Sequence, residues 1–136
     1  MNTLIIIPAY NEEESLESTV SRLIATVPDV DYLVVNDGSS DGTVQICREN
    51  GYPFLDLPCN LGLAGAFQAG IKYAYRHSYD CAIQFDADGQ HPRDDKHDHE
   101  ARQIEIRGDS RRGAVRGGQL DRQMQAEAFQ QLVESA

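Results

Sequence analysis

The sequence predicts an α/β fold built around a parallel β-sheet. Over the first 91 residues, short apolar runs alternate with longer amphipathic stretches, and polar turn-forming residues follow each apolar run. Continuous apolar runs are typical of strands that are buried on both faces. Strand–helix–strand alternation produces parallel pairing through right-handed crossovers, and ligands of such sheets bind beyond the carboxyl ends of the strands.

Four strands and three helices are expected in this part of the chain. The apolar runs that predict the strands are Thr3–Ile7, Tyr32–Val35, Phe54–Leu57 and Cys81–Phe85. A cap at Ser15 or an acidic neighbour begins the first helix, which runs to about Thr26. An Asp41 cap begins the second helix, which Asn50-Gly51 ends, and the third helix spans about Ala64 to His77.

Charge and apolar content exclude several classes of protein. The 136 residues carry a net charge of −10, which argues against binding to a phosphate backbone, so no nucleic acid partner is expected. No run approaches the roughly 18 apolar residues of a membrane helix, and a cytoplasmic, soluble chain is expected. Cys47, Cys59 and Cys81 show neither a C-x-x-C pair nor a histidine at metal-ligand spacing, which favours buried, reduced thiols.

The last 45 residues differ in composition from the first 91. Val, Ile, Leu, Met, Phe, Tyr and Cys together number 34 in the first 91 residues and 8 in the last 45. We therefore expect an α/β unit over residues 1–92, a polar, flexible segment over 93–118 and an amphipathic helix over 119–136. Without a covering layer, the last strand of the unit would expose apolar surface, so homo-oligomers are also expected.

Polar residues collect at the carboxyl ends of all four predicted strands. The segments are Pro8-Ala9-Tyr10-Asn11-Glu12, Asn36-Asp37-Gly38-Ser39-Ser40-Asp41-Gly42-Thr43, Cys59-Asn60-Leu61-Gly62-Leu63-Ala64-Gly65 and Asp86-Ala87-Asp88-Gly89-Gln90-His91. Each one alone is ordinary turn chemistry. Their occurrence at four successive strand ends indicates a shared cleft. Because neither G-x-G-x-x-G nor a P-loop occurs, side chains and a metal ion would have to hold a nucleotide there.

The pair Asp86 and Asp88 carries the most direct chemical meaning. Two carboxylates one residue apart at a strand end can converge on Mg²⁺ or Mn²⁺, which takes diphosphate oxygens as further ligands. The alternative is a solvated acidic turn, because two acids within three positions recur by chance. An apolar Phe85 before the pair and Gln90-His91 after it favour the metal site.

These four motifs resemble those of the family 2 glycosyltransferases, and most closely those of the dolichyl- and polyprenyl-phosphate sugar transferases. The resemblance runs from Met1 to about Pro92 and implies a Rossmann-like GT-A fold. It implies a nucleotide pocket lined by Pro8, Ala9, Tyr10 and Glu12, a base and ribose region held by Val35 and Asp37, and a metal and diphosphate held by Asp86 and Asp88. Ala87 and Gln90 would flank the donor sugar or its phosphates. Asp88 and His91 are the candidate catalytic residues, although a turn histidine beside proline is more often structural.

The resemblance also implies a reaction. A UDP- or GDP-sugar would transfer its sugar with inversion, and Mg²⁺ or Mn²⁺ would stabilise the leaving diphosphate. The expected acceptor is a lipid phosphate such as polyprenyl phosphate, or a cell-envelope glycan, which would place the protein at the inner face of the membrane. An anionic phosphate acceptor needs no base, whereas a hydroxyl acceptor needs one within about 3 Å.

Two features depart from the family's pattern. Asn36 stands where the family often has aspartate. Arg93–Gly118 lacks the helix and apolar strand that the family has next, and Gly108-Asp109-Ser110-Arg111 only loosely matches its Gly-Ser-Arg element, which predicts a truncated or frame-shifted acceptor half. Three functions stay open: a metal-dependent glycosyltransferase, a remnant that binds nucleotide or nucleotide-sugar without transfer, and an acidic interaction module.

Overall fold

A five-stranded sheet with helices on both faces forms the described part of the protein, which comprises residues 2–85 and the backbone of residues 103–105 in this computed structural model. In chain order the elements are β1 (Thr3–Ala9), α1 (Leu16–Thr26), β2 (Asp31–Asn36), α2 (Thr43–Asn50), β3 (Phe54–Asp56), α3 (Gly62–Arg76), β4 (Cys81–Gln84) and β5 (Gln103–Glu105). The predicted α/β fold with a parallel sheet is confirmed. Among these described elements, no helix is long and apolar enough to cross a membrane.

The order in which the chain adds strands to the sheet reverses at β1. The order is β3-β2-β1-β4-β5, and β1 pairs in parallel with both β2 and β4. The chain moves outward from β1 to β3 and then crosses back through α3 to the other side of β1. Such a reversal leaves a crevice at the carboxyl ends of the two central strands, which is where open α/β sheets bind ligands.

Alternating side chains of β1 build a core on each face of the sheet. Leu4 and Ile6 pack with the apolar side of α3, whereas Ile5 and Ile7 pack with α1 and α2. All seven residues of β1 are buried. This is why the strand reads as a continuous apolar run rather than an alternating one.

The helix boundaries agree with most of the predicted signals. Gly51 ends α2 in the left-handed conformation (φ 68°), as the Asn50-Gly51 pair predicts. The Asp41 carboxylate accepts the Thr43 N–H at 3.0 Å, so it caps α2 from one residue before the boundary. Ser15 precedes α1, but its hydroxyl donates to Glu12 Oε2 at 2.8 Å and makes no capping bond to the helix backbone.

The strand β5 was not among the predicted strands. It pairs antiparallel with β4, with Ile104 opposite Ala82. Three residues with one apolar side chain between two polar ones give too little pattern to predict a strand. The rest of the expected flexible segment, 93–118, and the expected helix, 119–136, lie outside the described residues and stay predictions.

Gly70 lies where α3 packs tightly against the sheet. A Cβ at Gly70 would lie 2.6 Å from Ile6 Cγ2 and 2.8 Å from Ile6 Cδ1, and Ile6 is fully buried. Overpacking of this kind costs about 1–3 kcal/mol, and alanine's better helix propensity recovers about 1 kcal/mol. Given three contacts at or below 3.0 Å, we expect Gly70→Ala to lower the free energy of unfolding by about 1–2 kcal/mol in urea denaturation.

A neighbouring substitution on the same helix serves as the control. Gln68 is exposed, so Gln68→Ala should leave the free energy of unfolding within about 0.5 kcal/mol of wild type. Equal stability of Gly70→Ala and wild type would show that α3 can move away from β1 without loss.

The three cysteines are free thiols, but they are not all buried. Cys47 and Cys81 are buried, whereas Cys59 is exposed, so the expectation of burial is wrong for Cys59. Cys59 lies in the polar loop before α3 rather than in an apolar run. Burial, with a contribution from the Asp56 carboxylate, raises the pKa of the Cys47 thiol to about 11, which keeps it protonated at neutral pH.

Thiol labelling tests this difference. We expect one of the three thiols to react rapidly with an aromatic disulfide reagent in the native protein, because the thiolate of an exposed cysteine is the reactive species. Cys59→Ser should abolish this rapid phase, and denaturant should expose the other two thiols. Rapid labelling that survives in Cys59→Ser would contradict the burial of Cys47 and Cys81.

Candidate functional site

The loops that follow β1, β2 and β3 meet at the carboxyl edge of the sheet. The first two are joined by a set of hydrogen bonds between residues 9–13 and 37–43, which we call the loop ladder. Nearest the strands, the Asp37 N–H donates to the Ala9 carbonyl at 2.9 Å. In the middle, the Asn11 N–H donates to Ser39 Oγ at 2.9 Å and the Ser40 N–H donates to Asn11 Oδ1 at 2.9 Å. Nearest the helices, the Glu12 N–H donates to Thr43 Oγ1 (3.0 Å), the Gly42 N–H donates to Glu13 Oε2 (2.8 Å) and the Glu13 N–H donates to Asp41 Oδ2 (3.3 Å). The two loops therefore form one continuous wall at the carboxyl edge of the sheet, where the cleft is predicted.

Asp37 joins the third loop to this wall. Its carboxylate Oδ1 accepts the Leu61 N–H at 2.7 Å, and its backbone carbonyl accepts Asn60 Nδ2 at 3.2 Å. The side chain is 3% exposed. Gly38 follows in the left-handed conformation (φ 70°), and a Cβ there would lie 2.6 Å from both Asn60 N and the Cys59 carbonyl carbon. Only glycine therefore allows the third loop to approach this closely.

Two of the predicted pocket residues lie at the surface of this wall. Tyr10, directly after β1, is 48% exposed. Glu12 is half-buried, and its carboxylate Oε2 accepts the Ser15 hydroxyl. Both side chains are therefore at least partly open to solvent at this edge of the sheet.

Three other predicted pocket residues are part of the core. Pro8, Ala9 and Val35 are buried, and Val35 packs in the cluster below α3 while Ala9 packs in the cluster below α1. The alternation of β1 and β2 turns these side chains toward the helix layers. A ligand could meet these residues only through their backbone.

The predicted metal and sugar residues follow β4 in the sequence. Asp86, Ala87, Asp88, Gln90 and His91 lie outside the described residues. The residue before them is placed: the Phe85 N–H donates to the Ile6 carbonyl at 2.8 Å, which continues the pairing of β4 with the central strand β1.

The cleft loops are acidic. The stretches 10–15, 37–42 and 57–61 contain five carboxylates, Glu12, Glu13, Glu14, Asp37 and Asp41, and no lysine, arginine or histidine. Burial raises the pKa of Asp41, but hydrogen bonds from Thr43 and the Glu13 N–H outweigh it and lower the pKa below its usual range. A phosphate group near these loops would need a cation beside it. Within the described residues, no group of three His, Cys, Asp or Glu side chains is placed to hold one.

The residues that assemble the wall cannot be told from ordinary turn residues by the motifs alone. They are Asn11, Ser39, Thr43 and Asn60, and all four lie within the motifs at the strand ends. The available signal was the pairing of asparagine and serine in two adjacent strand ends, since both side chains bond readily to nearby backbone groups. Asn36, which stands where the family often has aspartate, is 2% exposed and donates through Nδ2 to Asp56 Oδ1 at 2.8 Å.

Comparison with known proteins decides the family. The sequence pattern of "Glycosyl transferase family 2" matches residues 4–103. The chain belongs to glycosyl transferase family 2. The match of this family 2 chain reaches beyond Pro92, where the resemblance was expected to stop, and includes the first residue of β5.

The chain is similar to mannose-transferring proteins of two bacteria. The chain is 41% identical over 96 residues to the undecaprenyl-phosphate mannosyltransferase of Micrococcus luteus, covering 67% of this chain and 40% of the relative. It is 38% identical over 95 residues to the polyprenol monophosphomannose synthase of Mycolicibacterium smegmatis, covering 65% and 36%. The family 2 chain thus spans about 40% of the length of such relatives.

Solved structures confirm the predicted GT-A fold. Staphylococcus aureus TarS in complex with UDP-GlcNAc aligns with a TM-score of 0.55 at 23% identity, over 65% of this chain and 27% of TarS. The mannosyltransferase PcManGT of Pyrobaculum calidifontis, in complex with GDP-Man and Mn²⁺, aligns with a TM-score of 0.54 at 22% identity, over 64% and 27%. At these identities the likeness concerns the fold.

Proposed function

We propose that this chain is the donor-binding half of a glycosyltransferase that moves a sugar from a nucleotide-diphospho-sugar to an acceptor. The main supporting observation is that the loop ladder and Asp37 hold the loops after β1, β2 and β3 of a family 2 chain together at the carboxyl edge of the sheet, next to the reversal of strand order at β1. Relatives named as transferases to undecaprenyl phosphate and polyprenol support a lipid-phosphate acceptor. A cell-envelope glycan is the second acceptor class.

The nucleotide is proposed to lie against the wall of the cleft. Tyr10 offers an exposed aromatic ring for contact with the base or ribose. Asp37 is 3% exposed and its Oδ1 already accepts the Leu61 N–H, so its other oxygen, Oδ2, is the proposed acceptor for a base N–H or a ribose hydroxyl. Glu12 lies beside them. Pro8, Ala9 and Val35 would support this surface from the core and meet the ligand only through backbone atoms. UDP- and GDP-sugars are the proposed donors.

A divalent cation, Mg²⁺ or Mn²⁺, is proposed to accompany the diphosphate. The ligand chemistry fits, because Asp86 and Asp88 follow β4 in the sequence and would supply the hard carboxylate oxygens that these ions prefer. The loop stretches 10–15, 37–42 and 57–61 contain five carboxylates and no basic side chain, so a diphosphate beside them would need a metal ion to balance its charge. When bound, the ion acts as a Lewis acid toward the leaving diphosphate. Solved structures of similar fold that contain Mn²⁺ support this choice.

The chain's own residues would orient the donor and exclude water from it. An acceptor oxygen then forms a bond to the anomeric carbon as the bond to the diphosphate breaks, and the configuration inverts. A phosphate acceptor is anionic already and needs no proton transfer. For a hydroxyl acceptor, Asp88 or His91 is proposed to take the proton, and Ala87 and Gln90 to flank the sugar. A lipid-phosphate acceptor would put the protein at the inner surface of the membrane, and both this location and self-association are proposals.

A turnover assay tests this function. The chain is incubated with GDP-mannose or UDP-N-acetylglucosamine, Mn²⁺ and a short polyprenyl phosphate, and release of nucleoside diphosphate and formation of lipid-linked sugar are both measured. We expect binding of one donor and measurable transfer or hydrolysis. Binding without either product would favour a nucleotide-sugar-binding remnant, and no binding of any nucleotide would favour an acidic interaction module.

A further inference from the structure

We propose that Asn11 is a positioning residue of the nucleotide pocket, which fixes Tyr10 and Asp37 relative to one another by joining the loops that carry them. This inference rests on the proposed function, because it concerns how the same cleft is held ready for a nucleotide. Asn11 is proposed to act through Tyr10 and Asp37 and not to contact the reacting atoms itself.

Asn11 combines an unusual backbone conformation with reciprocal hydrogen bonds. Its φ is 51°, in the left-handed region that few residues other than glycine adopt and in which asparagine is enriched. Its N–H donates to Ser39 Oγ at 2.9 Å, and its Oδ1 accepts the Ser40 N–H at 2.9 Å and the Ser40 hydroxyl at 3.4 Å. One residue therefore bonds to two successive residues of the neighbouring loop.

The bonds of Asn11 lie in the middle of the loop ladder. The first hydrogen bond of the ladder joins Ala9 to Asp37, and the later ones lie at Glu12 and Glu13, near the starts of the helices. Asn11 supplies the contact between them. Tyr10 directly precedes it, so loss of the Asn11 side chain would release the short stretch that carries the exposed aromatic ring.

A rigid wall favours binding because less loop entropy is lost when the ligand arrives. Glycine at position 11 would keep the left-handed backbone but remove the acceptor, whereas aspartate keeps an acceptor at the same place and also tolerates this backbone. The two substitutions therefore separate the backbone conformation from the side-chain bond.

The experiment measures affinity for GDP and UDP by calorimetry in Mn²⁺ at 0.15 M salt, where the added charge of Asn11→Asp is partly screened. The one or two lost hydrogen bonds contribute about 1–2 kcal/mol to holding the loop. If nucleotide binding must now supply this ordering free energy, Asn11→Gly should bind about 5- to 30-fold more weakly. Asn11→Asp should recover most of the affinity. Amide hydrogen exchange at Ser40 should accelerate in Asn11→Gly and slow again in Asn11→Asp, with or without nucleotide.

A matched control lies at the opposite edge of the sheet. Asp80 Oδ2 accepts the Asn2 N–H at 2.8 Å, so Asp80→Ala removes a similar exposed side-chain-to-backbone bond far from the cleft. It should lower stability without changing nucleotide affinity. If wild type binds nucleotide and Asn11→Gly binds equally well, this inference alone is overturned. If wild type binds no nucleotide, the proposed function falls and the inference falls with it.

Discussion

Asp88→Ala is expected to weaken nucleotide binding in Mn²⁺ by about 100-fold and to make the remaining binding insensitive to chelator. Loss of a group that only supports a metal ligand costs about 10- to 100-fold in metal affinity, and Asp88 is proposed as a ligand itself. The acidic loops of the cleft increase the effect, since a diphosphate that has lost its cation would face five carboxylates. Calorimetric titration with GDP or UDP, each with and without EDTA, measures it.

The control for this substitution removes the same charge elsewhere. Asp29 is exposed in the turn before β2, at the amino edge of the sheet, so Asp29→Ala should bind nucleotide as wild type does. Equal affinities of Asp88→Ala and wild type, each unaffected by EDTA, would remove Asp88 from the metal site.

Asp37→Ala is expected to lower affinity for the nucleoside alone as well as for the diphosphate, by about 10- to 150-fold. A hydrogen bond to a charged group contributes about 1.5–3 kcal/mol, which corresponds to that range. The same substitution leaves the Leu61 N–H without its acceptor at 2.7 Å, so the free energy of unfolding should fall as well.

Asparagine at this position separates the two effects. Asp37→Asn keeps an oxygen for the Leu61 N–H and should retain most of the stability, while it loses the charge offered to the nucleoside. We expect the affinity of Asp37→Asn to fall with its stability preserved. Wild-type nucleoside affinity in Asp37→Asn and Asp37→Ala alike would restrict Asp37 to holding the loops together.

The sheet could be predicted because its strands are buried on both faces. Ile5, Ile6 and Ile7 pack alternately into the two helix layers, and this leaves a run with no polar interruption. The same rule explains why β5 is not predicted. This three-residue strand has little apolar content, and its strand conformation depends on pairing with β4, which the local sequence does not encode.

The sequence predicts which residues follow each strand at the candidate site, but not which of them are exposed or which contact one another. The motifs at the strand ends predict that these loops lie together, as the loops after β1, β2 and β3 do. They do not distinguish the exposed Tyr10 from the buried Val35, because burial depends on strand alternation at each end. The partners of Asn11 lie 28 and 29 residues away, and contacts across such separations follow from the parallel pairing of β1 and β2. The roles of residues 86–91 remain proposals.

Calorimetric titration of the wild-type chain with GDP and UDP, in Mn²⁺ and again in excess EDTA, tests donor binding most directly. We expect saturable binding of at least one of the two nucleotides, with a stoichiometry near one and an affinity that falls when the metal is removed. Absence of binding to both nucleotides in Mn²⁺ by a folded chain would contradict a donor-binding cleft at the carboxyl edge of this sheet.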